Sequence, residues 1–136
     1  MVLVDTNVFV ALMIQNTPWN GQATELFSRD PDWRSEAHAL VELSNVLLRL
    51  VRVKEIGEAE ALSKLREAQS QFSDGLLYLP HTEALSIAFH HHCSAYDARF
   101  LGAARELGIK LTTEDAKLRK AAPELTQSLA EALAAA

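Results

Sequence analysis

Apolar positions fall along this chain in two alternating rhythms. Val2, Leu3 and Val4 form an unbroken apolar run, as expected of a short strand covered on both faces. Asp5-Thr6-Asn7 follows, and Val8 to Ile14 reads as a helix broken by Thr17-Pro18. Gln22 to Arg29 reads as a second helix. The turn Asp30-Pro31-Asp32 then leads into a short segment around Trp33 to Ser35. From His38 to Arg52, Leu40, Leu43, Leu47, Leu50 and Val51 recur at helical spacing. Gly57 separates this helix from another that runs to Phe72.

The second half repeats the alternation. Asp74-Gly75 is a turn, and Leu76 to Leu79 is a strand stopped by Pro80. Thr82 is the expected N-cap of a helix that reaches His90-His91-His92. Tyr96 to Leu107 reads as a helix with Gly108 at its C-cap, and Ile109 to Leu111 as a strand. Pro123 is expected to open a terminal helix. Strands alternating with helices predict an α/β fold with a mainly parallel sheet, and residues 1–136 have the length of one domain.

Composition narrows the class. Apolar residues make up 49% of the chain, enough for a core, yet no apolar run approaches the roughly 20 residues of a membrane span. The first residues show no basic leader, and the single cysteine, Cys93, has no internal disulfide partner. A cytoplasmic protein is the expectation. The net charge of −5 argues against tight, sequence-independent nucleic-acid binding by the bare chain. Two divalent cations would bring it to about −1. Arg34, Arg49, Arg52, Arg99, Lys117, Arg119 and Lys120 would then be free for local basic patches.

Chemistry concentrates where strands end. In a parallel sheet, sites form outside the carboxyl ends of the strands, where strand order reverses. Asp5 ends the first strand, and Thr112-Thr113-Glu114-Asp115 ends the last. Glu42 falls early in one helix and Asp97 in the first turn of another. Carboxylates gathered together raise one another's pKa, and a hard divalent cation resolves that conflict. Oxygen donors favour Mg²⁺ or Mn²⁺ over zinc. A pair of such ions about 4 Å apart activates water and stabilises the leaving oxygen of a phosphodiester. Asn7 and Thr113 are placed to orient carboxylates or waters. The competing reading is that Asp5, Asp97 and Asp115 merely cap helices.

Four segments resemble a known family. They are Val4-Asp5-Thr6-Asn7-Val8, Ala39 to Leu47 around Glu42, Ser94-Ala95-Tyr96-Asp97-Ala98 running into Ala103-Ala104, and Leu111 to Asp115. In order and spacing they look like the signature segments of PIN domains, above all the VapC-type toxins of bacterial toxin–antitoxin pairs. The resemblance implies a three-layer α/β/α fold, Mg²⁺- or Mn²⁺-dependent cleavage of RNA, a homodimer and inhibition by a small antitoxin. It assigns Asp5, Glu42, Asp97 and Asp115 to the acidic quartet, and Asn7 and Thr113 to accessory polar positions. It favours Asp115 over the adjacent Glu114 at the metal, with Glu114 assisting through water.

Other features carry weaker expectations. His90 to His92 are expected to cover a helix end beside Asp97 rather than to bind zinc, because consecutive helical positions point apart. His38 and His81 read as ordinary surface or packing residues, and Trp19, Trp33 and Tyr96 as core or interface rather than base-stacking groups. The stripe Leu47, Leu48, Leu50, Val51 suits either an internal contact or a docked antitoxin helix. Two other functions compete with the nuclease. One is a phosphatase or phosphotransferase with Asp5 as nucleophile, disfavoured by Asn7 where such enzymes carry a second Asp. The other is a non-catalytic binding module.

Overall fold

The computed structural model describes all 136 residues. The strands are β1 (Val2–Val4), β2 (Trp33–Glu36), β3 (Leu76–Leu77), β4 (Leu111–Thr112) and β5 (Thr126–Gln127). The helices are α1 (Thr6–Met13), α2 (Asn20–Arg29), α3 (His38–Arg52), α4 (Glu58–Phe72), α5 (His81–His91), α6 (Ala95–Leu107), α7 (Ala116–Ala121) and α8 (Leu129–Ala135). The five strands form one sheet in the order β3-β2-β1-β4-β5, and every pairing is parallel.

The apolar run at the N-terminus dictates the layering. Successive strand residues point to opposite faces, so β1 feeds two cores. Val2 and Val4 pack with Phe9, Leu26, Leu43, Leu47, Phe72 and Leu129 from α1, α2, α3, α4 and α8. Leu3, with Leu111 of β4, packs with Ile87, Phe100, Leu101 and Leu118 from α5, α6 and α7. The result is a three-layer α/β/α sandwich. No helix is long and apolar enough to cross a membrane.

Several boundaries differ from the sequence reading, each for a physical reason. The first helix begins at Thr6 rather than Val8, because Asp5 caps it by accepting from the Val8 amide. The segment at Trp33 is a strand, buried at Trp33, Ser35 and Glu36. Tyr78 and Leu79 lie outside β3, with Tyr78 left in solvent. β4 starts at Leu111 rather than Ile109. Pro80, not Thr82, stands at the N-cap of α5.

The largest correction is at the C-terminus. Pro123 does not open a helix; it lies in a turn between α7 and β5, and α8 starts after the Ser128 cap. Neither α7 nor β5 was anticipated. A two-residue edge strand is too short to show alternation, and the alanine-rich end reads as continuous helix.

Candidate active site

The central strand sets the position of the site. β1 has β2 on one side and β4 on the other, so the chain leaves it in both directions and a crevice opens at the carboxyl ends of β1 and β4. Asp5 follows β1 directly, and Thr113 to Asp115 follow β4. β2 feeds α3, which carries Glu42 one turn in, and α6 carries Asp97 in its first turn.

Asp5 is buried, at 7% exposure, and both its oxygens are engaged. Oδ1 accepts from the Val8 amide at 3.1 Å, and Oδ2 accepts from the Thr113 hydroxyl in a short bond. The same Thr113 oxygen accepts from the Asp115 amide at 3.1 Å. Asp115 in turn caps α7 through the Leu118 amide at 3.1 Å. Thr6 donates its hydroxyl to Glu42 Oε1 at 3.1 Å. Ser94 caps α6 by accepting from the Asp97 amide at 3.0 Å, so the cap of that helix is Ser94 and not Asp97. The capping reading is therefore correct for Asp5 and Asp115 and incorrect for Asp97. Capping does not exclude a second role for the same carboxylates.

The acids feel one another. Burial pushes the Asp5 carboxyl up to about 6, against the pull of Thr113 and the Val8 amide, and the charges of Asp97 and Asp115 push the same way. Glu42 is raised by burial and by the charges of Asp97 and Glu36, opposed by the Thr6 hydroxyl and by His38. Asp97 is raised by burial and by Asp115, opposed by its bond to Ser94. None of the four forms an ion pair with a lysine or arginine. The neighbouring acids differ. Glu36, 1% exposed, is clamped by Arg99 at 2.5 Å and accepts from the His38 amide at 2.6 Å. Glu114 accepts from the Leu129 amide at 2.8 Å and faces Arg119 at 3.6 Å.

The donor set suits a hard cation: carboxylate oxygens, one of them buried, with no lysine or arginine paired to any of them. As the side chains stand, no group of three His, Cys, Asp or Glu closes around one point.

Beside the acids runs a cleft of about 700 Å³, lined by Thr6, Asn7, Glu42, Asn45, Arg49 and Tyr96 among others. Asn7 is exposed and lines the cleft, whereas Thr113 is fully buried beside Asp5. Arg99 and Arg119 are not the free cations anticipated. Arg99 is held by Glu36 and the Leu79 carbonyl, and Arg119 donates to the Thr113 carbonyl at 2.7 Å. His91 is buried against the end of α7, near the Ala121 carbonyl at 3.4 Å. Trp33 is core, as expected, packed edge-on against Phe27. Tyr96 is not: it stands exposed at the cleft, stacked on His38.

Three contributors escaped the sequence reading. Thr6 had a signal in its position immediately after a strand-end acid. Ser94 had one in its spacing to Asp97, the pattern of a helix-start capping pair. Glu36 had none, because its buried partner Arg99 lies 63 positions away.

Comparison with known proteins agrees with this architecture. The family model described as the PIN domain matches residues 2–123. The chain belongs to the PIN-domain family, whose members are typically metal-dependent nucleases. Among solved structures, it is similar to PAE2754 from Pyrobaculum aerophilum, with 21% identity and a TM-score of 0.71, over 98% of this chain and 96% of that one. It is also similar to FitAcB from Neisseria gonorrhoeae, with 18% identity and a TM-score of 0.64, over 94% and 96% of the two chains. At these identities the likeness speaks for the fold alone. No curated protein matches the sequence.

Proposed function

We propose that this chain is a metal-dependent endoribonuclease, the toxin of a toxin–antitoxin pair, in which Asp5, Glu42, Asp97 and Asp115 hold Mg²⁺ or Mn²⁺. One observation carries the reading. Four acids stand at the switch point of a parallel sheet with no lysine or arginine paired to any of them, while the adjacent Glu36 and Glu114 each have an arginine. A buried carboxylate without a counter-charge is costly, and a cation from solution offsets that cost.

The bound ions would supply charge neutralisation and activation of a water toward an RNA phosphate. The chain's own residues do the rest. Thr113 holds Asp5 and fixes the turn that carries Asp115; Thr6 orients Glu42; Ser94 sets the first turn under Asp97. Arg49, along the cleft from Glu42, is the cation available to a phosphate of the strand. A nucleophilic role for Asp5 is disfavoured by Asn7, which stands where such enzymes carry a second Asp.

The partner assignments belong to the same proposal. An apolar groove of about 450 Å³ between α3 and α4 is lined by Leu47, Leu48, Val51, Ala61, Leu62 and Leu65. It suits an amphipathic antitoxin helix, and the chain is expected to form a homodimer in the cytoplasm. The deciding experiment is cleavage of single-stranded RNA with Mg²⁺ or Mn²⁺, with and without EDTA, by wild type and Asp97→Asn. Metal-dependent cleavage lost in the variant supports the nuclease. No cleavage, together with no Mn²⁺ binding by calorimetry, leaves a binding module.

A further inference from the structure

Tyr96 and His38 occupy an unusual position. Tyr96 is 62% exposed, high for an aromatic residue outside any core. Its ring stacks on His38, with centroids 5.1 Å apart and planes inclined by 16°. The pair is tied to two of the four acids. Tyr96 directly precedes Asp97 in the first turn of α6, and His38 lies one helical turn before Glu42 on the same side of α3.

The pair also divides two hollows. Both residues line the cleft beside Glu42, and both line a second hollow of about 400 Å³ with Tyr78, His81, Arg99 and Ala37. Tyr78, 77% exposed, brings a second aromatic ring to that hollow. A flat, solvent-facing π surface beside the cleft that holds Glu42 and Arg49 suits the face of an unpaired base, which stacks on aromatic rings with little regard to its identity.

We infer that Tyr96, backed by His38, is a stacking shelf that receives an unpaired nucleobase of the RNA strand next to the phosphate being cut. The inference rests on the nuclease reading above and adds to it the residue that receives a base of the strand. The base must be out of a duplex to lie flat on the ring. His38 holds the ring in register, and Tyr96 positions the substrate without taking part in bond breaking.

The test uses full-length protein and single-stranded RNA oligonucleotides carrying 2-aminopurine at each position in turn, with Ca²⁺ replacing Mg²⁺. On binding to wild type or Tyr96→Phe, 2-aminopurine at one position should be quenched, and Tyr96→Ala should abolish that quench. With Mg²⁺ or Mn²⁺, Tyr96→Ala should raise KM about ten-fold with the loss falling on KM rather than kcat, and Tyr96→Phe should restore it. An abasic nucleotide at the quenched position should erase the difference between wild type and Tyr96→Ala. Absence of a position-specific quench, or an equal quench with Tyr96→Ala, overturns the shelf even if RNA is cleaved. A Tyr96-dependent quench in a protein that cleaves no RNA keeps the shelf and removes the nuclease reading.

Discussion

Thr113 donates its hydroxyl to the buried carboxylate of Asp5 across 108 positions of sequence, and the same oxygen accepts from the Asp115 amide. One small side chain thus ties the end of β1 to the turn after β4. That bond stabilises the ionised form of Asp5, opposing the burial that raises it. Thr113→Val keeps the shape and removes both interactions. Asp5 should then titrate higher still, and the pH dependence of Mn²⁺ binding, followed by calorimetry, should move to higher pH. Leaving a buried acceptor unmet should also cost about 1–3 kcal/mol of stability near neutrality, readable by urea unfolding. An unchanged pH midpoint would show that the bond does not govern Asp5.

Asp5 itself makes metal-free stability depend on pH in a definite direction. Its folded pKa of about 6 lies above the ordinary 3.8, so the folded state holds the proton more tightly than the unfolded chain. The associated stability is complete below about pH 4 and is lost as pH rises through about 6, on the order of 3 kcal/mol. In EDTA, wild type should melt at a lower temperature at pH 7.5 than at pH 5. Asp5→Asn should flatten most of that slope, since asparagine still caps α1 and carries no buried charge. The raised Glu42 and Asp97 should leave a residual slope of the same sign. Mg²⁺ should reverse the trend in wild type, because cation binding requires deprotonated carboxylates and strengthens as pH rises. A wild-type melting temperature in EDTA that rises between pH 5 and 7.5 would contradict the assignment.

The Glu36–Arg99 pair is a structural clamp beside the site rather than part of it. Glu36 is 1% exposed at the end of β2, and Arg99 reaches it from α6 while also donating to the Leu79 carbonyl. Arg99→Met should leave an uncompensated buried charge and cost about 3–5 kcal/mol. The double variant Glu36→Leu/Arg99→Met should recover much of that loss, because it removes both charges together. Denaturant unfolding of the set distinguishes the clamp from a surface pair, for which Arg99→Met would cost less than about 1 kcal/mol.

What could be read from the sequence was what local pattern encodes. The run Val2-Leu3-Val4 and the spacing of Leu43 and Leu47 exposed the central strand and the long α3 helix, because burial there follows one period. Gly108 marked the end of α6, where the backbone takes φ of 68°. The four acids are candidates on strand-end position for Asp5 and Asp115 and on family spacing for all four. What escaped was either too short or too distant. β5 has two residues and no period to detect, and the ties Thr6–Glu42 and Arg99–Glu36 join positions 36 and 63 apart. Tyr96 shows another limit: its exposure depends on how α6 meets α3, which no local pattern encodes, and the coordinates place it outside the core.

Glu114 and Asp115 are neighbours in sequence that the fold uses differently, and substitution should separate them. Glu114 turns away from the other acids: its Oε1 accepts from the Leu129 amide at the start of α8, and its Oε2 faces Arg119. Asp115 is turned toward the acids and adds its charge to Asp5 and Asp97. Glu114→Gln retains an oxygen for the Leu129 amide and should leave Mn²⁺ binding and RNA cleavage near wild type. Glu114→Ala should loosen α8, whose Leu129 and Ala132 pack in the core, and cost about 1 kcal/mol in thermal or urea unfolding. Asp115→Asn can still cap α7 through the Leu118 amide, so it should stay folded while losing Mn²⁺ affinity and cleavage together. The reverse pattern, with activity lost in Glu114→Gln and kept in Asp115→Asn, would exchange the two roles and require the turn after β4 to rearrange when the cation binds.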